Sequence, residues 1–96
     1  MRPKWILKTD RWILGVRWDH ELCELVVGGP LKFEDHVREL AKDLGAFAVT
    51  RISPDSAQRG RWRLGVPTGY NPLVMLKKLG PDVEVRSVRS FARLWR

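Results

Sequence analysis

The feature that most restricts the fold is a strict alternation of arginines with apolar residues along residues 61–66, which read Arg-Trp-Arg-Leu-Gly-Val. Successive side chains of a β-strand point to opposite faces of a sheet, so a period of two residues indicates a strand with two different faces. We therefore predict that residues 61–66 form a strand with Trp62 and Leu64 on one face. The opposite face of this strand is cationic, because Arg61 and Arg63 lie there.

Other β-prone segments surround this strand in the sequence. They are rich in leucine, tryptophan and β-branched residues and end at turn residues: residues 5–8, 11–18, 21–27, 46–52 and 83–89. In the second of them, apolar side chains alternate with more polar ones from Trp12 to Trp18. A two-residue polar turn separates the first two segments, which predicts an N-terminal antiparallel hairpin.

Two segments have helical periodicity instead. Apolar residues between positions 33 and 44 recur at spacings of three and four, which predicts an amphipathic helix, and Gly45 follows where a left-handed cap belongs. Residues 71–79 form a shorter candidate helix, with Asn71 as its N-cap and Pro72 at the first helical position. Near-helical spacing of apolar residues at the end of the chain predicts a final turn that packs back on the body: Phe91, Leu94 and Trp95.

The order of these elements predicts an α+β fold. From residue 21 onward it is strand, helix, strand, strand, helix, strand, which resembles the ferredoxin-like split βαβ architecture, βαββαβ. We expect residues 1–96 to form one domain: an N-terminal β-hairpin at residues 1–20, a βαββαβ unit at residues 21–89 and a C-terminal tail at residues 90–96. In that architecture both helices cover one face of an antiparallel sheet, so function is expected on the open face.

Positive charge is concentrated in the second half of the chain. Residues 1–48 hold eight Lys or Arg and eight Asp or Glu, whereas residues 49–96 hold ten basic residues against three acidic ones, which accounts for the net charge of +7. Such a field attracts polyanions such as nucleic acids, and also anionic membranes. The alternative is that the charge serves only solubility.

Arginines on or beside the predicted strands are the candidates for nucleic-acid binding, because a cationic surface neutralises phosphates while flat rings stack on bases. The candidate phosphate contacts are Arg51, Arg59, Arg61, Arg63 and Arg86, and the candidate stacking residues are Trp62 and Tyr70. The partner would be RNA or DNA. The alternative is that Trp62 belongs to the core and the arginines form an ordinary solvated surface.

The tryptophans of the N-terminal hairpin allow two interpretations. Trp5, Trp12 and Trp18 either pack in the core or lie outward, where they would form an apolar patch too large for a solitary monomer. The outward arrangement favours a homodimer through these strands. A self-associating structural or regulatory module is therefore the alternative function.

No motif for catalysis or metal binding is recognisable. His20 and Cys23 offer two metal ligands, but no second pair follows at a zinc-like spacing. His36, between two apolar positions of the first helix, is typical of a residue at the core boundary. Nucleophile and phosphate-loop motifs are absent. We expect a protein that is not an enzyme and that has no metal and no cofactor.

The composition also predicts the environment of the protein. No window approaches the roughly 18 apolar residues that span a bilayer, and the apolar stretch after Lys4 is too short for a signal peptide. Cys23 is the only cysteine, which fits a reducing compartment. We expect a cytoplasmic protein without membrane contact. Arginine-rich composition and few side-chain amides favour a thermophilic source.

Overall fold

The computed structural model describes residues 2–52, 58–67 and 71–88. Its strands are β1 (Trp5–Lys8), β2 (Ile13–Asp19), β3 (Glu24–Pro30), β4 (Ala48–Ile52), β5 (Arg59–Gly65) and β6 (Glu84–Ser87). Its helices are α1 (Glu34–Asp43), which a 3-10 turn at Leu31–Phe33 precedes, and α2 (Pro72–Lys77). None of the helices in these ranges is long and apolar enough to cross a membrane.

All six strands join in one antiparallel sheet with the order β4-β5-β3-β2-β1-β6. The fold is thus α+β, but the ferredoxin-like prediction is wrong. Three strands precede the first helix, and the last strand pairs with β1, whereas a βαββαβ unit would place it beside β3. The N-terminal hairpin is an internal part of the sheet.

The tight turn between β2 and β3 explains this strand order. Asp19 ends β2, and its carboxylate accepts hydrogen bonds from the backbone N–H groups of Glu21 and Leu22 at 3.0 and 3.1 Å. Cys23, with a φ of 52°, then returns the chain into β3. Strands joined by so short a turn pair with each other. The turn therefore places β2 against the edge of β3 that the ferredoxin-like plan reserves for the last strand.

One face of the sheet packs against both helices. Val27 of β3 lies between Val16 of β2 and Trp62 of β5 in the register. Leu40 of α1 and Leu76 of α2 belong to the same buried cluster. Because both helices contribute to this cluster, they lie on one side of the sheet.

Two predicted caps are observed, one after the end of α1 and one at the start of α2, whereas α2 ends at Lys77, two residues before its predicted end. Gly45 has a φ of 69°, in the left-handed region that favours glycine. The Asn71 side chain accepts a hydrogen bond from the backbone N–H of Leu73 at 2.9 Å, and Pro72 is the first helical residue. The predicted final turn at Phe91 to Trp95 lies outside the described residues.

Candidate nucleic-acid interface

The sheet face opposite the helices, here called the open face, contains a line of arginines. On β5, Trp62 and Leu64 are buried under the helices, so Arg59, Arg61 and Arg63 point to the open face. We call these three residues the cationic row. Every second residue of a strand is about 6.6 Å further along it, so the row spans about 13 Å.

Arg63 is held at one end of the cationic row by two carboxylates. Its Nη1 lies 3.2 Å from Oδ2 of Asp19 and 3.5 Å from Oε2 of Glu24. Hydrogen bonds from the backbone N–H of Leu22, and then from Arg63, lower the pKa of Asp19 below its ordinary value. Asp19 is therefore an anion at neutral pH that orients Arg63 and neutralises part of its charge.

Arg61 borders a shallow groove in the middle of the open face. It pairs across the strands with Gly28, which pairs with Gly15, which in turn pairs with Ile6. We call Gly15 and Gly28 the glycine floor, because neither has a side chain to fill the face. The groove has a volume of about 300 Å³, and its lining residues are Pro3, Ile6, Ile13, Gly15, Gly28, Pro30, Arg59, Gly60 and Arg61.

Two other predicted arginines lie away from the cationic row. Arg51 pairs with Trp62 in the register, so it lies on the helix side of the sheet, where its Nη1 is 3.2 Å from Glu34 Oε2. Arg86 is on the open face, but its strand is four strands from β5, about 19 Å away. Its guanidinium pairs with Glu84 at 2.6 Å.

Of the two predicted stacking residues, Trp62 does not contribute to this face. Trp62 is 0% exposed, and its indole N–H donates a hydrogen bond to Glu34 at 3.2 Å, so the alternative that it is a core residue is confirmed. This hydrogen bond, followed by the charge of Arg51 and a hydrogen bond from Arg38, lowers the pKa of Glu34. Tyr70 lies outside the described residues.

Phe47, which the sequence places in the predicted strand at residues 46–52, precedes β4, and its ring lies on the open face. Phe47 is 77% exposed, and its ring covers Gly65 at the end of β5. A Cβ atom on Gly65 would stand 2.7 Å from Cε2 of Phe47, so a larger residue at this position would displace the ring. The signal in the sequence is Gly65 itself, because a glycine within a strand often marks a close approach by another group.

The open face has a net positive charge. Among the strand residues that the structure describes, six cations point to it: Lys8, Arg17, Arg59, Arg61, Arg63 and Arg86. Three carboxylates share the face: Asp19, Glu24 and Glu84. By contrast, α1 on the other side carries four acidic and two basic residues. The described strand residues of the open face therefore carry a net positive charge, whereas α1 on the other side carries a net negative charge.

The tryptophans of the hairpin lie on the helix side. Trp5 is buried in the core, and Trp12 and Trp18 are partly buried against it. The outward patch that would have favoured association through these tryptophans is therefore not present in the described residues. A homodimer stays a prediction that these contacts do not test.

The histidine at the core boundary lies between two rings. The His36 ring centroid is 6.3 Å from that of Trp12 and 5.9 Å from that of Phe33.

Within residues 2–52, 58–67 and 71–88, no group of three or more His, Cys, Asp or Glu residues is placed to hold a metal ion. Comparison with known proteins found no matching family model, no matching curated protein and no matching solved structure.

Proposed function

We propose that this chain is a non-enzymatic nucleic-acid-binding protein that contacts the phosphate backbone with the open face of its sheet. The observation that carries this proposal is the cationic row, in which three arginines project from one strand onto a face that carries a net positive charge. Arginine suits this role because its planar guanidinium donates two parallel hydrogen bonds to a phosphate.

The order of groups along β5 supports contact with an extended strand. Phe47 lies at one end, and Arg63, Arg61 and Arg59 follow at intervals of about 6.6 Å. An exposed ring stacks on a base, while the arginines follow the backbone. Both contacts use features that RNA and DNA share, so we expect single strands of either kind to bind with little sequence preference.

The experiment is a comparison of two double variants that remove equal charge from opposite sides. Arg59→Ala with Arg61→Ala reduces the cationic row, and Lys42→Ala with Lys77→Ala removes two exposed cations from the helices. Affinity for a labelled single-stranded oligonucleotide is measured by fluorescence anisotropy between low and near-physiological salt. We expect the arginine variant to bind more weakly. The slope of the logarithm of its binding constant against the logarithm of the salt concentration should become shallower by about 0.7 for each phosphate contact removed.

The helix variant is expected to keep most of the affinity. Equal losses in the two variants would mean that binding follows net charge alone, which contradicts an interface on the open face. If the unaltered chain does not bind at low salt and light scattering gives the mass of a dimer, the proposal is wrong and the self-associating module is favoured.

A further inference from the structure

The strand β6 lies at one edge of the sheet, and its outer side carries backbone groups that can pair with another strand. In the described part of the chain, β6 pairs with β1 alone. The backbone N–H of Val88 donates a hydrogen bond to the carbonyl of Lys4 at 3.0 Å. Hydrogen-bonded and non-hydrogen-bonded pairs alternate along an antiparallel ladder. The backbone of Arg86 therefore also points to β1, whereas the N–H and carbonyl of Val85 point outward.

The side chains of β6 form a pattern that is complementary to itself. Glu84 and Arg86 lie on the open face, two residues apart, and about half of each side chain is exposed. Between them, Val85 lies on the helix side opposite Leu7 of β1 and is only partly buried against the core. An antiparallel pair of two β6 strands centred on Val85 therefore sets Glu84 of each copy opposite Arg86 of the other.

This register also satisfies the backbone and the helix side. The two Val85 residues become a hydrogen-bonded pair, in which each N–H donates to the carbonyl of the other copy. The pairs on either side are then non-hydrogen-bonded, the kind in which opposite side chains lie closest, so each carboxylate is within reach of a guanidinium. On the helix side, Val85 of each copy covers the other and continues the apolar row that begins at Leu7.

The opposite edge of the sheet does not have this pattern. The strand β4 reads Ala-Val-Thr-Arg-Ile, so its one charged residue is Arg51, which pairs with Glu34 of α1. Two copies of β4 therefore cannot form reciprocal ion pairs. Charged residues protect an edge strand from pairing where like charges meet. In β6, the register centred on Val85 brings unlike charges together instead.

From the outward backbone groups and the reciprocal charges we propose that two copies of this chain form a homodimer, in which their β6 strands pair antiparallel about a twofold axis at Val85. The two six-stranded sheets then form one continuous sheet. The axis is perpendicular to this sheet, so both open faces lie on the same side. Because the contact is one short strand from each copy, the dimer is expected to be weak and to depend on concentration.

The dimer has a consequence for binding that rests on the proposed function. The two cationic rows lie on the same side of the joined sheet, nine strand spacings or about 43 Å apart. An oligonucleotide that reaches both rows is therefore expected to bind more tightly than one that covers a single row.

The interface is tested without nucleic acid by sedimentation equilibrium of the full chain, up to about 1 mM so that a weak dimer is detected. The mass of the unaltered chain is expected to rise toward that of two chains. Arg86→Glu alone and Glu84→Arg alone set like charges opposite each other, so each variant is expected to remain a monomer. Lys42→Glu, which makes the same charge change as Arg86→Glu on α1, is the matched control and is expected to dimerise like the unaltered chain.

A mixture of the two β6 variants gives the sharpest result. One chain then has two acidic residues beside Val85 and the other has two basic ones, so a dimer with one chain of each kind regains both ion pairs. We expect the mixture to dimerise although neither variant does so alone. A mixture that stays monomeric, an unaltered chain that stays monomeric, or a dimer that persists in each variant alone would overturn the proposal.

Hydrogen exchange locates the contact within the strand. The amide of Val85 is expected to become protected as the concentration rises, whereas that of Arg86, which points to β1, is protected at every concentration. Protection of Val85 that does not change with concentration would mean that the edge is covered within a single chain, which contradicts the dimer. If the chain dimerises through β6 but binds no nucleic acid, only the proposed function fails.

Discussion

The two faces of the sheet have different chemistry, although the same strands form both. On β5, Trp62 and Leu64 are fully buried under the helices, and Arg61 and Arg63 alternate with them on the open face. Among the described residues, the buried core on the helix side contains no polar or charged residue. Burial of apolar area provides stability on one face, which leaves the side chains of the other available for binding.

The glycines of the two faces also have different roles. On the helix side, a Cβ on Gly29 would lie 2.7 Å from Leu14 Cδ2, and one on Gly60 would lie 2.5 Å from Leu31 Cδ2, so both glycines permit close packing. Gly28, the neighbour of Gly29 in the chain, lies on the open face and forms part of the groove floor. The difference between the faces predicts that core substitutions change folding and that open-face substitutions change binding.

The largest expected effect is on the helix side. Trp62→Ala removes a fully buried ring and the donor to Glu34, so we expect a loss of about 3–5 kcal/mol in the free energy of unfolding. Arg59→Ala, on the same strand but exposed, is expected to change it by less than about 0.5 kcal/mol. Urea denaturation of both variants measures the difference. Similar losses would show that the two faces do not divide their roles in this way.

An intermediate effect is expected at the exposed ring. Phe47→Ala is expected to weaken binding to a single-stranded oligonucleotide by about 1–3 kcal/mol, the range for one base–aromatic stack. Because the ring is 77% exposed, the free energy of unfolding should change by less than about 0.5 kcal/mol. Anisotropy titration and urea denaturation give the two quantities. A stability loss without a binding loss would make Phe47 a packing residue for Gly65.

The smallest effect concerns Glu34, which joins the helix side to the edge of the sheet. Its pKa is lowered in the folded protein from an ordinary value of 4.5, chiefly by the hydrogen bond from Trp62. The unfolded chain therefore takes up this proton first as the pH falls. The contribution is complete above pH 4.5 and is lost as the pH falls through the lower pKa of the folded state.

The free energy of unfolding is accordingly expected to fall less between pH 7 and pH 3 in Glu34→Gln than in the unaltered chain. The difference should be less than about 1 kcal/mol, because the ion pairs of Glu34 with Arg38 and Arg51 are partly exposed. Urea denaturation at the two pH values measures this difference. Glu39→Gln, which removes the same charge from an exposed position on α1, is the matched control. An equal reduction in the control would mean that the effect reflects net charge and not the contacts of Glu34.

The candidate interface was only partly predictable from the sequence. The alternation at residues 61–66 correctly placed Arg61 and Arg63 on one face and Trp62 on the other, because alternation is a local property of a strand. The face of the sheet on which Arg51 lies could not be predicted in the same way. Its face depends on its pairing with Trp62, and pairing between strands is a long-range property.

What the sequence by itself determined is local: the approximate positions of the strands and of the two helices, the cap at Asn71 and the left-handed Gly45. Each follows from side chains a few residues apart. The bounds of β3 were wrong, because this strand runs from Glu24 to Pro30 and not over residues 21–27. Only the tertiary structure decided the strand order and the position of Phe47 over Gly65. The short turn at Asp19 makes β2 pair with one edge of β3. The last strand, β6, therefore pairs with β1, and no feature of its own sequence predicts this partner. Partner choice depends on which edges are already occupied, which no single segment encodes.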